Sequence, residues 1–192
     1  MAPTDLGTPL LHVARRALAG AFDRGIAAGD DHPVLDAPGA TFVTLRQHGD
    51  LRGCIGTLEA HRPLRRDVEE NTLSAAFRDP RFAPLAAHEL DITGIEVSLL
   101  SAPIPMPVAD EDDLLRQLRP GVDGVVLAWR DRRATFLPQV WDTFEEPRDF
   151  IAELKRKAGL SAGFWADEIR VSRYTVDKFK EPEAHRPALQ ST

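Results

Sequence analysis

The chain carries a single cysteine, Cys54, in the stretch Leu51-Arg52-Gly53-Cys54-Ile55-Gly56. A thiolate is the reactive form of cysteine, and a nearby cation favours it. Arg52 stands two residues before the thiol, and on a regular strand it would share the thiol's face. The amides from Gly53 to Gly56 could line an anion-binding nest. These residue types permit a nucleophile or a redox-sensing thiol, while residue type alone favours a small apolar side chain in a core, where free cysteine is commonly found. His61 follows closely and is a candidate base for the thiol. Glu96 lies between Ile95 and Val97. If its face of the strand is covered it needs a cation, and Arg52 and Arg81 are the natural partners. Asn71 sits at the edge of an apolar helical stripe, where its amide must find a partner. Thr135 could turn a hydroxyl into a pocket, although β-branching also suits a strand. Asp79 and Arg81 are expected to pair or to anchor a connector, and Asp123 to form a turn. The six histidines include no pair at metal-ligand spacing. No metal site and no cofactor are predicted.

Hydrophobic periodicity supplies the elements that position these groups. Leu10, Val13, Ala14, Ala17, Leu18, Ala21 and Phe22 form one helical stripe, with Thr8 as the expected cap and Gly25 or Gly29 as the expected end. A turn-rich loop runs from Asp30 to Gly39. Residues 41–47 and 51–55 alternate around His48-Gly49-Asp50 and predict a β-hairpin. Pro63 opens a helix to about Phe77, closed by Asp79-Pro80. Ala86 to Leu90 suggests a short helix, and Ile95 to Leu99 a strand. Pro103, Pro105 and Pro107 then suggest a lobe boundary or the start of an insertion. Asp110 caps a short acidic helix. A second hairpin is expected from Val125 to Trp129 and from Ala134 to Leu137. Pro147 opens a helix ending at Gly159, whose lysines and arginines read as a wet face. Ile169 to Val176 reads as one final strand. Hairpins dominate, so the fold class is α+β, a largely antiparallel sheet with flanking helices.

The totals narrow the functional classes. At 192 residues the chain can bury a real core. A formal net charge of −6 opposes general nucleic-acid binding, which needs a basic face. One cysteine excludes an internal disulfide and fits a reducing compartment. No apolar run approaches the ~18 residues of a membrane span, and the N-terminus lacks the order of a signal peptide. A cytoplasmic protein without membrane or nucleic-acid partners is expected.

The Leu51–Gly56 stretch resembles the signature of the AMMECR domain family. So do Ala76-Phe77-Arg78-Asp79-Pro80-Arg81-Phe82, Pro84-Leu85, Ile95-Glu96-Val97-Ser98, Pro120-Gly121-Val122-Asp123-Gly124, the run from Thr135 to Trp141, Lys157-Ala158-Gly159-Leu160 and Arg173-Tyr174. The resemblance covers residues 8–181 in the family's order. It implies one α+β domain in two unequal lobes sharing a cleft, with a flexible tail over 182–192. It also implies component A of an AmmeMemoRadiSam system, partnered by a Memo-like protein and a radical S-adenosylmethionine enzyme. No reaction comes with the family.

Two functional classes follow. In the first, Cys54 works in an active cleft as nucleophile or sensor thiol. Arg52, Gly53 and Gly56 then hold an anionic group, Glu96, Asn71 and Thr135 orient the substrate, and His61 serves as base. In the second, the protein is a non-catalytic adaptor for the Memo-like or radical enzyme partner. Its glycines serve packing, and its cysteine is structural.

Overall fold

The computed structural model describes residues 6–27, 29 and 32–182. The chain divides into two units, Met1–Leu99 with Lys178–Thr192, and Leu100–Asp177. Of the expected flexible tail, 183–192 lies outside the described residues, as do Asp30 and Asp31 of the expected loop.

The first unit begins with helix α1 (Gly7–Gly20). Leu6, not Thr8, is its N-cap, and no side chain caps it. The helix also ends before either expected glycine. Arg24 N–H donates to Ala19 O and Asp23 N–H to Gly20 O, and Asp23 takes φ 57°. This is a Schellman closure in which aspartate fills the left-handed position that glycine usually takes. Strands β1 (Pro38–Gln47) and β2 (Asp50–Gly56) form the hairpin. Both residues of its turn, His48 and Gly49, have positive φ, the geometry that matches the twist of paired strands.

A two-residue strand β3 (Arg62–Pro63) pairs with the start of β1 and leads into helix α2 (Leu64–Phe77). A 3-10 turn at Ala87–Ile92 precedes β4 (Thr93–Leu100). With β9 (Val176–Lys180) the sheet order is β2-β1-β4-β9, β3 lying off this path. Val43 and Leu45 of β1 and Ile95 and Val97 of β4 share a core with Leu10, Val13 and Leu18 of α1 and Leu64, Val68 and Ala75 of α2. One sheet face is therefore committed to the helices. By the alternation of strand side chains, Thr44, Cys54, Glu96 and Ser98 belong to the other.

The second unit holds β5 (Ile104–Met106), α3 (Glu111–Gln117), the hairpin β6 (Gly124–Trp129) and β7 (Arg132–Phe136), α4 (Pro147–Lys157) and β8 (Arg170–Tyr174). Its sheet order is β5-β8-β6-β7. Asp110 caps α3 as expected, accepting from Asp113 N–H at 2.7 Å. Gly159, at φ 77°, closes α4. The expected single strand at 169–176 is two strands, β8 and β9, in different sheets. Phe150, Ile151 and Leu154 of α4 pack on Val125, Leu127 and Val171. Trp141 stacks on Phe150 with ring centroids 3.6 Å apart.

The wet-face reading of α4 needs one correction. Lys155 is fully buried. Its ammonium donates to Glu111 Oε2 at 2.7 Å and to Ala162 O at 3.1 Å, and it sits over the Trp165 ring. A buried charge persists only when paired in this way.

Candidate functional site

Cys54 lies near the middle of β2, opposite Thr44 of β1. It is half-buried and free. Side chains of a non-hydrogen-bonded antiparallel pair approach closely, and Thr44 Oγ1 donates to Cys54 Sγ at 3.4 Å. β2 is the edge strand of its sheet, so the peptide groups of Cys54 face outward. They are met by the segment after α2. Cys54 N–H donates to Asp79 Oδ2 at 2.9 Å, and Arg81 Nη2 donates to Cys54 O at 3.4 Å. Two side chains thus take the place of a neighbouring strand, which blunts an edge open to pairing. Asp79 is buried and accepts from Arg81 Nε, Nη2 and backbone N–H as well. The Arg81 guanidinium, followed by these backbone donors, holds its carboxyl well below the usual carboxylate range. Arg81 is raised in turn, first by the Asp79 hydrogen bond.

Arg52 is not beside the thiol on a regular strand. The register slips between Leu45 and Arg46: Leu45 faces Gly53 and Arg46 faces Leu51, leaving Arg52 as the extra residue of a bulge. Its guanidinium makes a fork with Glu89, Nε to Oε1 at 2.9 Å and Nη2 to Oε2 at 3.1 Å, and Nη1 donates to Ala83 O. Glu89 also accepts from Ala86 N–H and from Gln47 Nε2. The Arg52 hydrogen bond, with these donors, brings its pKa down to about 2.

The two glycines have packing reasons. A Cβ on Gly53 would lie 3.1 Å from the Ala75 carbonyl carbon of α2 and closer still to its oxygen. A Cβ on Gly56 would lie 2.5 Å from Thr41 O and run into the Phe42 ring. Glycine admits both close approaches.

Glu96 is buried on the face that Thr44 and Cys54 share. Its cation is neither Arg52 nor Arg81 but Lys180, whose Nζ lies 3.1 Å from Oε2. That contact is an ion pair without hydrogen-bond alignment, so Oε2 has no hydrogen-bond donor among the described residues. Asn71 finds its partners on the helix side of the sheet. Its Nδ2 donates to Thr41 O and to Asp67 Oδ2, each at 3.0 Å. Asp67, fully buried, accepts from Thr41 N–H and Oγ1, Thr57 Oγ1 and Arg62 Nε. Asp67 is a residue that the sequence does not single out, and its one signal is its place with Leu64, Val68, Asn71 and Thr72 on the inward stripe of α2. His61 is exposed, and its Nδ1 is 2.9 Å from Glu59 O. Thr135 belongs to the second unit, where its hydroxyl is 3.1 Å from the Tyr174 hydroxyl. Burial pushes that phenol's pKa up.

The site's chemistry is therefore one half-buried thiol on an edge strand, a hydroxyl donor across the strand pair, and an Asp–Arg clamp on its peptide. A carboxylate–ammonium pair lies further along the same sheet face.

Two antiparallel sheets, one in each unit, with flanking helices make this an α+β protein. The AMMECR1 family model matches residues 11–179, and the chain belongs to that family. A protein of Methanothermobacter thermautotrophicus is 37% identical over 186 residues, covering 92% of this chain and 95% of its own. A protein of Saccharolobus islandicus is 36% identical over 190 residues, covering 92% and 82%. Among solved structures, the crystal structure of the uncharacterized protein PH0010 from Pyrococcus horikoshii superposes with a TM-score of 0.73 at 30% identity, covering 92% of each chain. No helix among the described residues is long and apolar enough to cross a membrane.

Proposed function

We propose that this protein is component A of an AmmeMemoRadiSam-type modification system. It meets its Memo-like partner, its radical S-adenosylmethionine partner or their shared substrate through the sheet face that carries Cys54. The observation that supports this is the state of the thiol. Cys54 is neither sealed among aliphatic side chains nor free of polar contact: it is half-buried, with the Thr44 hydroxyl on its sulfur. The family signature and the Arg78–Phe82 segment also converge on this residue through the Asp79 and Arg81 contacts. In this reading Cys54 acts as a nucleophile or sensor, and group transfer through a thioester or related adduct is the reaction class.

A non-catalytic adaptor is the second reading. The tight packing of Gly53 on Ala75 and of Gly56 on Phe42 favours it, because the signature then needs no ligand to explain its glycines. Co-purification with a Memo-like protein separates the two readings from a free-standing role. Capture of the partner by the wild type is expected under both. Its persistence in Cys54→Ser, with activity of the assembled system intact, selects the adaptor. Loss of that activity with capture retained selects the thiol.

A further inference from the structure

We infer that the sheet face carrying Cys54 takes a ligand bearing a primary ammonium, and that Glu96 is the residue that binds it. The inference rests on the reading of this face as the one that meets the substrate, and adds the group by which the substrate is held. One row of side chains crosses the whole sheet. Cys54 faces Thr44 of β1. Gln47 Nε2 donates to Thr93 Oγ1 at 2.9 Å, and a Cβ on Gly94 would lie 3.9 Å from Arg46 O. The two strands therefore run in opposite senses, and Glu96 comes beside Thr44. On the far side of β4, Glu181 N–H donates to Ile95 O at 3.0 Å, and Lys180 comes beside Glu96. Thiol, hydroxyl, carboxylate and ammonium thus follow one another over β2, β1, β4 and β9.

The carboxylate is the anomaly in this row. Only 9% of its side chain is exposed, yet Oε2 is buried with no hydrogen-bond donor among the described residues. Asp67, Asp79 and Asp123 are buried too, and each accepts from several donors. A buried acceptor left unmet costs free energy, and Glu96 therefore calls for a donor from outside the described chain. Lys180 does not supply it. Its Nζ lies 3.1 Å from Oε2 without hydrogen-bond alignment, and 66% of its side chain is exposed. It is a counter-ion that solvent can take back. A ligand ammonium in its place brings the missing N–H in the charge-assisted form, the strongest such bond. Ser98, two residues on along the same face, is also buried, and its hydroxyl makes no hydrogen bond among the described residues. It offers a second acceptor to the same ammonium. Two strand spacings, about 10 Å, separate Glu96 from Cys54. The ammonium is thus the handle by which a substrate is held while another part of it reaches the sulfur.

The test is a titration of the isotope-labelled full chain with n-butylammonium chloride, read from the amide NMR shifts of residues 94–98 and 178–181. Saturable shifts are expected, with a dissociation constant on the order of millimolar for so small a ligand. Tetramethylammonium, which carries the charge but no N–H, should give none. Glu96→Gln is expected to bind butylammonium about tenfold more weakly. Lys180→Ala, which removes the resident counter-ion, should bind it about threefold more tightly. Lys180 is exposed, so this variant reports on the site even where Glu96→Gln folds poorly. Equal shifts with both cations would show only attraction to an acidic chain and would overturn the inference. So would Lys180→Ala binding no more tightly than wild type, or a lack of saturation in both proteins. Iodoacetamide labelling of Cys54 in the same samples separates the two claims. Folded protein that labels but binds no butylammonium loses the ammonium site alone. Protein that labels only after denaturation loses the reading of this face, and with it the substrate role of the ammonium site.

Discussion

Gly53 of β2 faces the carbonyl of Ala75 in α2 so closely that a Cβ would lie 3.1 Å from the carbonyl carbon. The hairpin and the helix meet through backbone at this point, and neither side has a flexible atom to give. Gly53→Ala is expected to cost about 3 kcal/mol, in the range of overpacked cores. Urea denaturation of the variant measures it. A midpoint unchanged from wild type would mean that the glycine is not held by packing.

The buried network under β1 gives a second expectation. Asp67 holds two groups of Thr41, the Thr57 hydroxyl, the Asn71 amide and the Arg62 guanidinium. Asp67→Ala strands several buried donors at once and should cost about 3–5 kcal/mol. Asn71→Ala removes one donor group and should cost less, about 1–3 kcal/mol. Thermal unfolding of both orders the two. An equal and small loss would remove the network as a source of stability.

In the second unit the two partners of one ion pair should respond unequally. Lys155 is fully buried, while Glu111 keeps 19% of its side chain exposed. Glu111→Ala leaves a buried ammonium unpaired and is expected to cost about 3 kcal/mol. Lys155→Met replaces the ammonium by an apolar chain of similar length and should cost under about 1 kcal/mol. Chemical denaturation of the pair decides it, and the reverse order contradicts the burial.

Acid should loosen the first unit through its clamped carboxylates. Glu89 drops from its ordinary 4.5 to about 2, and Asp79 also lies well below its usual range. A depressed carboxylate contributes stability that is fully present above its ordinary value and is lost as pH falls through its folded value. Wild-type stability should therefore decline from about pH 4.5 towards pH 2. Arg52→Gln, which lacks the Glu89 fork, should show a flatter slope across that window. Parallel slopes for the two proteins would contradict it.

Much of the fold was legible because it rests on local rules. The stripe from Leu64 to Ala76 and the capping Asp110 each declare their element within a few residues. The signature hairpin is legible for the same reason, its turn being set by His48 and Gly49. What sequence alone leaves open depends on groups far apart in the chain. The bulge that turns Arg52 from Cys54 to Glu89 is a register slip, invisible in the alternation of apolar residues. Lys155 looks like one more cation on a charged helix until Glu111, 44 residues earlier, is seen beside it. Glu96 announces the need for a cation but cannot reveal that Lys180 on β9 supplies it. The break at Thr175 that sends β8 and β9 to different sheets has no glycine or proline to mark it. In the site, the glycines and the thiol were visible, while the Asp79–Arg81 clamp required the edge of β2 to be placed beside it.

The proposal that the Cys54 face meets a partner is tested most directly by the iodoacetamide labelling rate of that one sulfur, with and without a purified Memo-like protein. Cys54 is expected to label in the folded protein alone, and its labelling to slow when the complex forms. A complex that forms while the rate stays the same, or a sulfur that labels only once the chain is unfolded, would contradict it.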